Sequence, residues 1–229
     1  MSRPPASPPR RRGRPAAHSG PGSAADVRAQ LLQSALQLFA EQGIAATPLS
    51  QIARKAQVTP ALLHYYFGSK EKLVEALVEE HLLPLSAQLG LGLASGPRTL
   101  REAIEALVGN IMDLLGANPW FPQLWVREVL HEGGQLRHYL VQRMAPALAL
   151  KVRDLVAAAQ ARGEINADIE PRLFMVSLIG LTVFPFAAQP VWRAIYPADD
   201  ITPQTLRKHV LALLLHGLEP RSPSTAPIA

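Results

Sequence analysis

The stretch Thr47-Pro48-Leu49-Ser50-Gln51-Ile52-Ala53-Arg54-Lys55-Ala56-Gln57-Val58-Thr59-Pro60-Ala61-Leu62-Leu63-His64-Tyr65-Tyr66-Phe67-Gly68-Ser69-Lys70 decides the fold. It predicts two short helices joined by a tight turn, each opened by Thr-Pro. A threonine at the N-cap can accept from an unpaired first-turn amide. A proline just inside the helix loses nothing, because its missing N–H has no partner there. Thr47-Pro48 gives that signal once, and Thr59-Pro60 repeats it twelve residues later. Leu49, Ile52, Ala53 and Ala56 fall on one face at helical spacing, and Val58, Leu62 and Leu63 supply apolar contacts for the second helix. Helices this short are marginal alone and must lean on each other and on a third.

Two short helices about a tight turn form the helix-turn-helix pattern that places its second helix in the DNA major groove. The polar inventory agrees. Between Thr47 and Lys70 the charged residues are Arg54, Lys55 and Lys70, with no acid among them, and a surface that approaches phosphates must avoid carboxylates. His64, Tyr65 and Tyr66 offer donors to phosphates and rings to sugars. Ser69 can cap the following helix, whose first amides together with Lys70 make a phosphate site.

With these residues in view, the chain resembles the TetR family of transcriptional regulators. The resemblance is carried by Leu31-Leu32-Gln33-Ser34-Ala35-Leu36-Gln37-Leu38-Phe39-Ala40-Glu41-Gln42-Gly43, then Thr47 and the two-helix stretch. It closes in Tyr66-Phe67-Gly68-Ser69-Lys70-Glu71-Lys72-Leu73 and spans roughly residues 26–75. It implies that Thr59, His64, Tyr66 and Lys70 touch the DNA backbone, with Thr47 as a further phosphate contact. It also implies that Pro60, Ala61, Leu62 and Tyr65 face base edges. That set is mostly apolar, which favours thymine methyls and shape over Arg–guanine pairs. Core packing stays open for Leu62, Tyr65 and Tyr66. The chain departs from the family pattern at Gln57, where many members have Gly, so a slightly strained turn is expected. It departs again in the order His64-Tyr65-Tyr66.

Charge is distributed unevenly. The net charge is +5, and residues 1–25 hold Arg3, Arg10, Arg11, Arg12 and Arg14 with no acid. Without those five, 18 basic residues face 18 acidic ones, so the remainder is neutral. The tail is rich in Pro, Ser, Gly and Ala and reads as disordered in isolation. Its Arg12-Gly13-Arg14-Pro15 resembles the core of an AT-hook, which implies insertion of Arg12 and Arg14 into an A·T-rich minor groove. A generic basic tail attracted to phosphate is the alternative. No apolar segment follows the arginines as in a targeting peptide.

The expected fold class is all-α, with about nine helices. Residues 1–25 form the basic tail and 26–83 the helix-turn-helix lobe; 84–218 form a helical ligand-binding and dimerisation lobe, and 219–229 a second disordered tail. Helices are expected near 25–42, 70–82, 98–116, 119–131, 135–162, 170–188 and 203–218 besides the two short ones. Pro84 should bend the fourth, and Gly90 to Pro97 should form a loop. No apolar run is long enough for a membrane span. Cysteine is absent, which excludes disulfides and thiolate metal sites. The seven histidines are scattered, and no metal or cofactor is expected.

In the family the last two long helices usually pair with those of a second copy. Phe174, Leu178, Leu181, Val183 and Phe184, and Leu206, Val210, Leu213, Leu214 and Leu218, suit that use; intrachain core is the alternative. A ligand pocket in the same lobe is expected to draw on Trp120, Phe121, Trp125, Phe184, Phe186 and Trp192. Met112, Met144 and Met175 would adapt its shape, and Arg127, Glu128, His131 and His138 are its polar candidates, with core packing open for each aromatic. The expected function is a cytoplasmic, nucleoid-associated repressor that binds a palindromic double-stranded operator as a homodimer. A small apolar or aromatic effector would release it. The alternative is an effector-free DNA-binding protein of the same fold, acting in nucleoid organisation or cell division. No nucleophile–base set, phosphate loop or carboxylate pair points to an enzyme.

Overall fold

The computed structural model describes residues 24–94, 99–196 and 200–220. All its regular elements are helical. The N-terminal lobe holds α1 (Ala24–Gln42), α2 (Leu49–Lys55), α3 (Pro60–Phe67) and α4 (Lys70–Leu77). Leu31, Leu32, Ala35, Leu36 and Phe39 recur at helical spacing on α1 and are fully covered. They close a first core with Ile44, Ile52, Leu63, Leu73 and Leu77.

Pro84 acts one turn ahead of itself. α4 passes into a π-helical turn, Val78–Leu82, before α5 (Leu83–Leu89). The Leu83 amide reaches back five residues to the Val78 carbonyl. Widening the ladder in this way absorbs the bond that the proline cannot make. The expected loop after Gly90 contains a single turn, α6 (Leu91–Ala94), held by Leu93 in the second core.

The second lobe is built around α7 (Leu100–Ala117), capped by the Thr99 hydroxyl, which accepts from the Glu102 amide at 3.1 Å. The helix expected near 119–131 is α8 (Phe121–Trp125) continued by a second π turn, Val126–Leu130. The long helix expected over 135–162 is broken. It consists of α9 (Arg137–Tyr139), a third π turn at Leu140–Met144, and α10 (Pro146–Ala161). Pro146 opens α10, the position where a proline fits.

Between Leu130 and α9 the chain folds back on itself. The Leu136 amide donates to the Glu128 carbonyl at 3.0 Å. The Arg137 guanidinium gathers the carbonyls of Val129, Leu130 and His131 at 2.7–2.9 Å, satisfying acceptors that a helix end leaves open. Gly134 sits so close that a Cβ there would meet the Glu128 carbonyl oxygen at 2.4 Å. α11 (Pro171–Ala187), α12 (Gln189–Ile195) and α13 (Pro203–Leu218) complete the lobe; α12 was not anticipated. α11 packs on α10 and α7, and α13 on α7. Leu124, Val129 and Leu136 belong to the first core, so the stretch from α8 to α9 is packed onto the N-terminal lobe.

Candidate DNA-binding surface and internal cavity

The reading surface is built from its turn outward. Gln57 follows the end of α2 at φ +55°. Its amide donates to the Arg54 carbonyl at 3.1 Å, and the Val58 amide to the Ala53 carbonyl at 3.0 Å. This pair of bonds about a left-handed residue is the helix ending that glycine usually supplies. Gln57 holds it with a Cβ, at a cost of about 1 kcal/mol, so the expected strained turn is present.

Thr59 then caps α3, its hydroxyl accepting from the Leu62 amide at 3.2 Å. Leu63 and Phe67 turn inward and are buried. Thr59, Pro60, Ala61, His64 and Tyr65 are exposed, and Tyr65 most of all at 82 %. Leu62 and Tyr66 are half-buried and pack against the first core. Their packing against the core is thus the use the structure displays, with part of each side chain left open to solvent. The Tyr66 ring stands edge-on to Tyr65 with centroids 5.6 Å apart. His64 Nδ1 donates to the Gly68 carbonyl at 2.8 Å. A neutral ring then offers Nε2 only as an acceptor, and His64 donates to a phosphate only as the imidazolium.

At the start of α4 the Ser69 hydroxyl accepts from the Lys72 amide at 3.3 Å. The hydrogen bond with Ser69, followed by its own backbone amide, holds the Glu71 carboxyl below its ordinary value. Lys70 Nζ donates to the Ala45 carbonyl at 3.0 Å. Arg54 and Lys55 lie exposed at the end of α2, Lys55 paired with Glu41 at 3.3 Å.

Thr47 departs from its expected role. It does not cap α2: Pro48 occupies the cap position with no side-chain bond. The Thr47 side chain is fully buried, and its hydroxyl donates to the Gly43 carbonyl at 2.6 Å. It buckles the α1–α2 turn from beneath and is covered from the surface that a phosphate would approach. Arg12 and Arg14 lie outside the described residues.

The second lobe holds a cavity of about 710 Å³, open to solvent beside the exposed Leu130, Val176 and Phe184. Trp125, Phe184, Met144, Met175 and Phe121 line it, joined by aliphatic residues of α5, α7, α10 and α11 such as Leu85, Leu89, Ile111, Ile179 and Val183. The other expected residues lie elsewhere. Trp120 packs against the first core, and His131 is exposed. Trp192 donates its indole N–H to the Pro185 carbonyl at 2.7 Å. Met112 and Phe186 join the second core.

Arg172 is the charged side chain among the described lining residues. Its guanidinium already holds Glu170, at 2.7 Å and 3.0 Å. That side chain, followed by the Arg172 amide, pulls the Glu170 carboxyl down to about 2. Glu128, a polar candidate for the pocket, is 4 % exposed and bonds elsewhere. Its Oε1 accepts from the Ile44 amide at 2.8 Å and its Oε2 from the Gln135 amide at 3.0 Å.

The residues expected at a dimer interface divide. Phe174, Leu178, Val210 and Leu214 fill the chain's own second core, as do the buried Val183 and Leu218. Leu181 and Leu206 are half-buried, and Leu213 is exposed. The outward apolar residues of α11 are Leu173, Val176 and Phe184, a strip that the sequence reading caught only at Phe184.

Comparison with known proteins matches this arrangement. The profile described as bacterial regulatory proteins, tetR family, fits residues 31–77. That of the tetracyclin repressor-like C-terminal domain fits residues 101–214. The HTH-type transcriptional repressor NicS of Pseudomonas putida is 32% identical over 147 residues, covering 62% of this chain and 68% of that protein. The HTH-type transcriptional repressor KstR2 of Rhodococcus jostii is 27% identical over 194 residues, covering 83% of this chain and 90% of that protein. The solved structure of the ketosteroid transcriptional regulator KstR2 of Mycobacterium tuberculosis superposes with a TM-score of 0.69 at 21% identity, covering 88% of this chain and 98% of that one.

Proposed function

Since the chain belongs to the tetR family of bacterial regulatory proteins, we propose that it represses transcription by binding a palindromic operator as a homodimer. An uncharged apolar or aromatic small molecule in the α7–α11 cavity releases it. A regulator that reads chromosomal DNA works in the cytoplasm. The observation that carries this reading is the joint presence of an acid-free reading helix and a large apolar cavity in one chain.

Tyr65 projects from the middle of α3, where a thymine methyl or a sugar can pack on its ring. Thr59 and Pro60 set the depth at which the helix start meets the backbone. Lys70 and the first amides of α4 take a phosphate. Two copies place their reading helices about 34–36 Å apart, one turn of DNA. The outward strip of Leu173, Val176, Phe184 and Leu213 is apolar and exposed in the single chain, and a second copy covers it.

The cavity falls within the usual size for a small-molecule site. Its walls are almost wholly aliphatic and aromatic, and its one described charge is neutralised by Glu170. A charged ligand would lose its hydration without finding a partner, whereas an uncharged apolar one loses little. Such a ligand shifts the reader spacing only through different affinity for two arrangements.

The test is capture of fragmented genomic DNA by the purified full-length protein, beside its Tyr65→Ala variant. One or a few palindromic fragments, lost with Tyr65→Ala while the dimer persists, are expected. Hundreds of dispersed A·T-rich fragments, retained by the variant, would overturn the proposal and favour an architectural protein reading through its arginine tail.

A further inference from the structure

The three π-helical turns among the described residues all meet at the cavity. Val78–Leu82 contributes Leu82 to its wall, Val126–Leu130 contributes Val126 and Leu130, and Leu140–Met144 contributes its two end residues. Leu82, Leu140 and Met144 also pack in the first core, with the DNA-reading helices. π turns recur at functional sites and replace the regular ladder with a wider one. The wall between cavity and reader thus contains all the π-helical turns found among the described residues.

Each π turn also carries a polar tie. Glu80 pairs with Arg28 of α1, and Glu79 of the first turn pairs with Arg143 of the third at 2.6 Å. These pairs are partly exposed and weakened by solvent. The tie from the second turn is buried. Glu128 lies two residues from both Val126 and Leu130, and its carboxylate spans the Ile44 and Gln135 amides.

Ile44 sits in the turn between α1 and α2 and is fully buried in the first core. The same carboxylate oxygen stands 3.1 Å from where a Cβ on Gly43 would be. The Gly43 carbonyl is in turn held by the Thr47 hydroxyl, immediately before α2. Gln42, at the end of α1, keeps its side-chain Nε2 buried without a hydrogen-bond partner. An unmet donor of this kind at a packed joint calls for an acceptor, which a second arrangement of the turn could supply.

We infer that Glu128 is the positioning residue that converts filling of the cavity into movement of the α1–α2 turn, and with it of the reading helices. An occupant that displaces Val126 and Leu130 rotates the turn that carries the carboxylate. The carboxylate takes the Ile44 amide with it, and the Gly43–Thr47 bond passes the shift to the start of α2. The inference rests on the release mechanism proposed above and names its joint.

The experiment uses full-length protein and the genomic fragment captured by the wild type. Ala149→Trp serves as a built-in occupant, since Ala149 lines the cavity. The uncharged dye phenylnaphthylamine serves as an added one. Each is tested in the wild-type background and with Glu128→Gln, which keeps the volume but cannot accept from both amides. If Glu128→Gln fails to fold, Glu128→Asp replaces it, keeping the charge but too short to reach both amides.

We expect either occupant to weaken fragment binding about tenfold in the wild-type background, and less than about twofold with Glu128 replaced. Dye affinity should be the same in both backgrounds. Equal weakening in the two backgrounds would overturn the inference while leaving ligand release standing. No weakening in the wild-type background, with the dye bound, would overturn the release mechanism and the inference together.

Discussion

The Lys70 ammonium donates to the Ala45 carbonyl at 3.0 Å, so the first residue of α4 is fastened to the turn that leaves α1. A phosphate at the α4 N-terminus competes with that carbonyl for the same cation, and the charged partner wins. Lys70→Gln should therefore weaken operator binding about tenfold and reduce the slope of log affinity against log salt by about one. Folding stability should change by no more than about 0.5 kcal/mol, because the bond is exposed. Fluorescence anisotropy across a salt series checks the slope; an unchanged slope would mean that Lys70 meets no phosphate.

Gln57 at φ +55° pays for a left-handed backbone without the freedom of glycine. Gln57→Gly removes about 1 kcal/mol of Cβ strain and gives back about 0.4–1 kcal/mol as chain entropy in the unfolded state, for a net stabilisation of up to about 0.6 kcal/mol. Operator affinity should stay within about twofold. Denaturant midpoints measure the first and titration of the captured fragment the second. A loss of stability would show that the Gln57 side chain makes a contribution larger than its strain.

Leu213 and Leu214 are neighbours with opposite duties. Leu214 fills the second core, while Leu213 is 49% exposed on the outer side of α13. Leu213→Glu should leave helix content and monomer melting unchanged. A dimer whose interface contains it should lose about 3–5 kcal/mol, the range for an unpaired buried charge, and run as a monomer in sedimentation. Leu214→Ala should instead lower monomer stability by about 2–5 kcal/mol. If Leu213→Glu remains dimeric, the interface lies elsewhere.

Glu170 is held at about 2 instead of 4.5, chiefly by the Arg172 side chain and then by the Arg172 amide. A depressed carboxyl contributes stability that is fully present above 4.5 and fades as pH falls toward 2. The group is exposed, so the contribution is small. The stability difference between wild type and Glu170→Gln should be constant above pH 4.5 and shrink toward zero as pH drops to about 2. Chemical denaturation across that range measures it, and a difference that persists in acid would assign the effect to something other than the ion pair.

The reader was legible in the sequence because it is local. Caps at Thr59 and Ser69 and the apolar Leu63 follow from spacing and backbone chemistry within a few residues, and the turn at Gln57 from the glycine that the resemblance puts there. Thr47 misled for a related reason: Thr-Pro reads as a cap whether its hydroxyl turns forward to α2 or back to Gly43, and tertiary burial chose the latter. The second lobe was legible only as helix. α11 is apolar around most of its circumference, so nothing in its periodicity separates Phe174 in the core from Ile179 at the cavity or Leu173 on the outside. The π turns escaped notice because Pro84 and Pro146 announce a disturbance without saying how the ladder will absorb it. Glu128 was read as a polar candidate for the pocket, and only its partners, 84 and 7 residues distant in the chain, reveal a joint.

A hollow of about 710 Å³ bordered by the exposed Leu130, Val176 and Phe184 also fixes how the molecule answers heat. Its apolar rim stays in contact with water until something covers it, and covering apolar surface lowers the heat capacity. Whatever seats there should therefore bind with a negative heat-capacity change, the calorimetric mark of a dry contact made where a wet one stood.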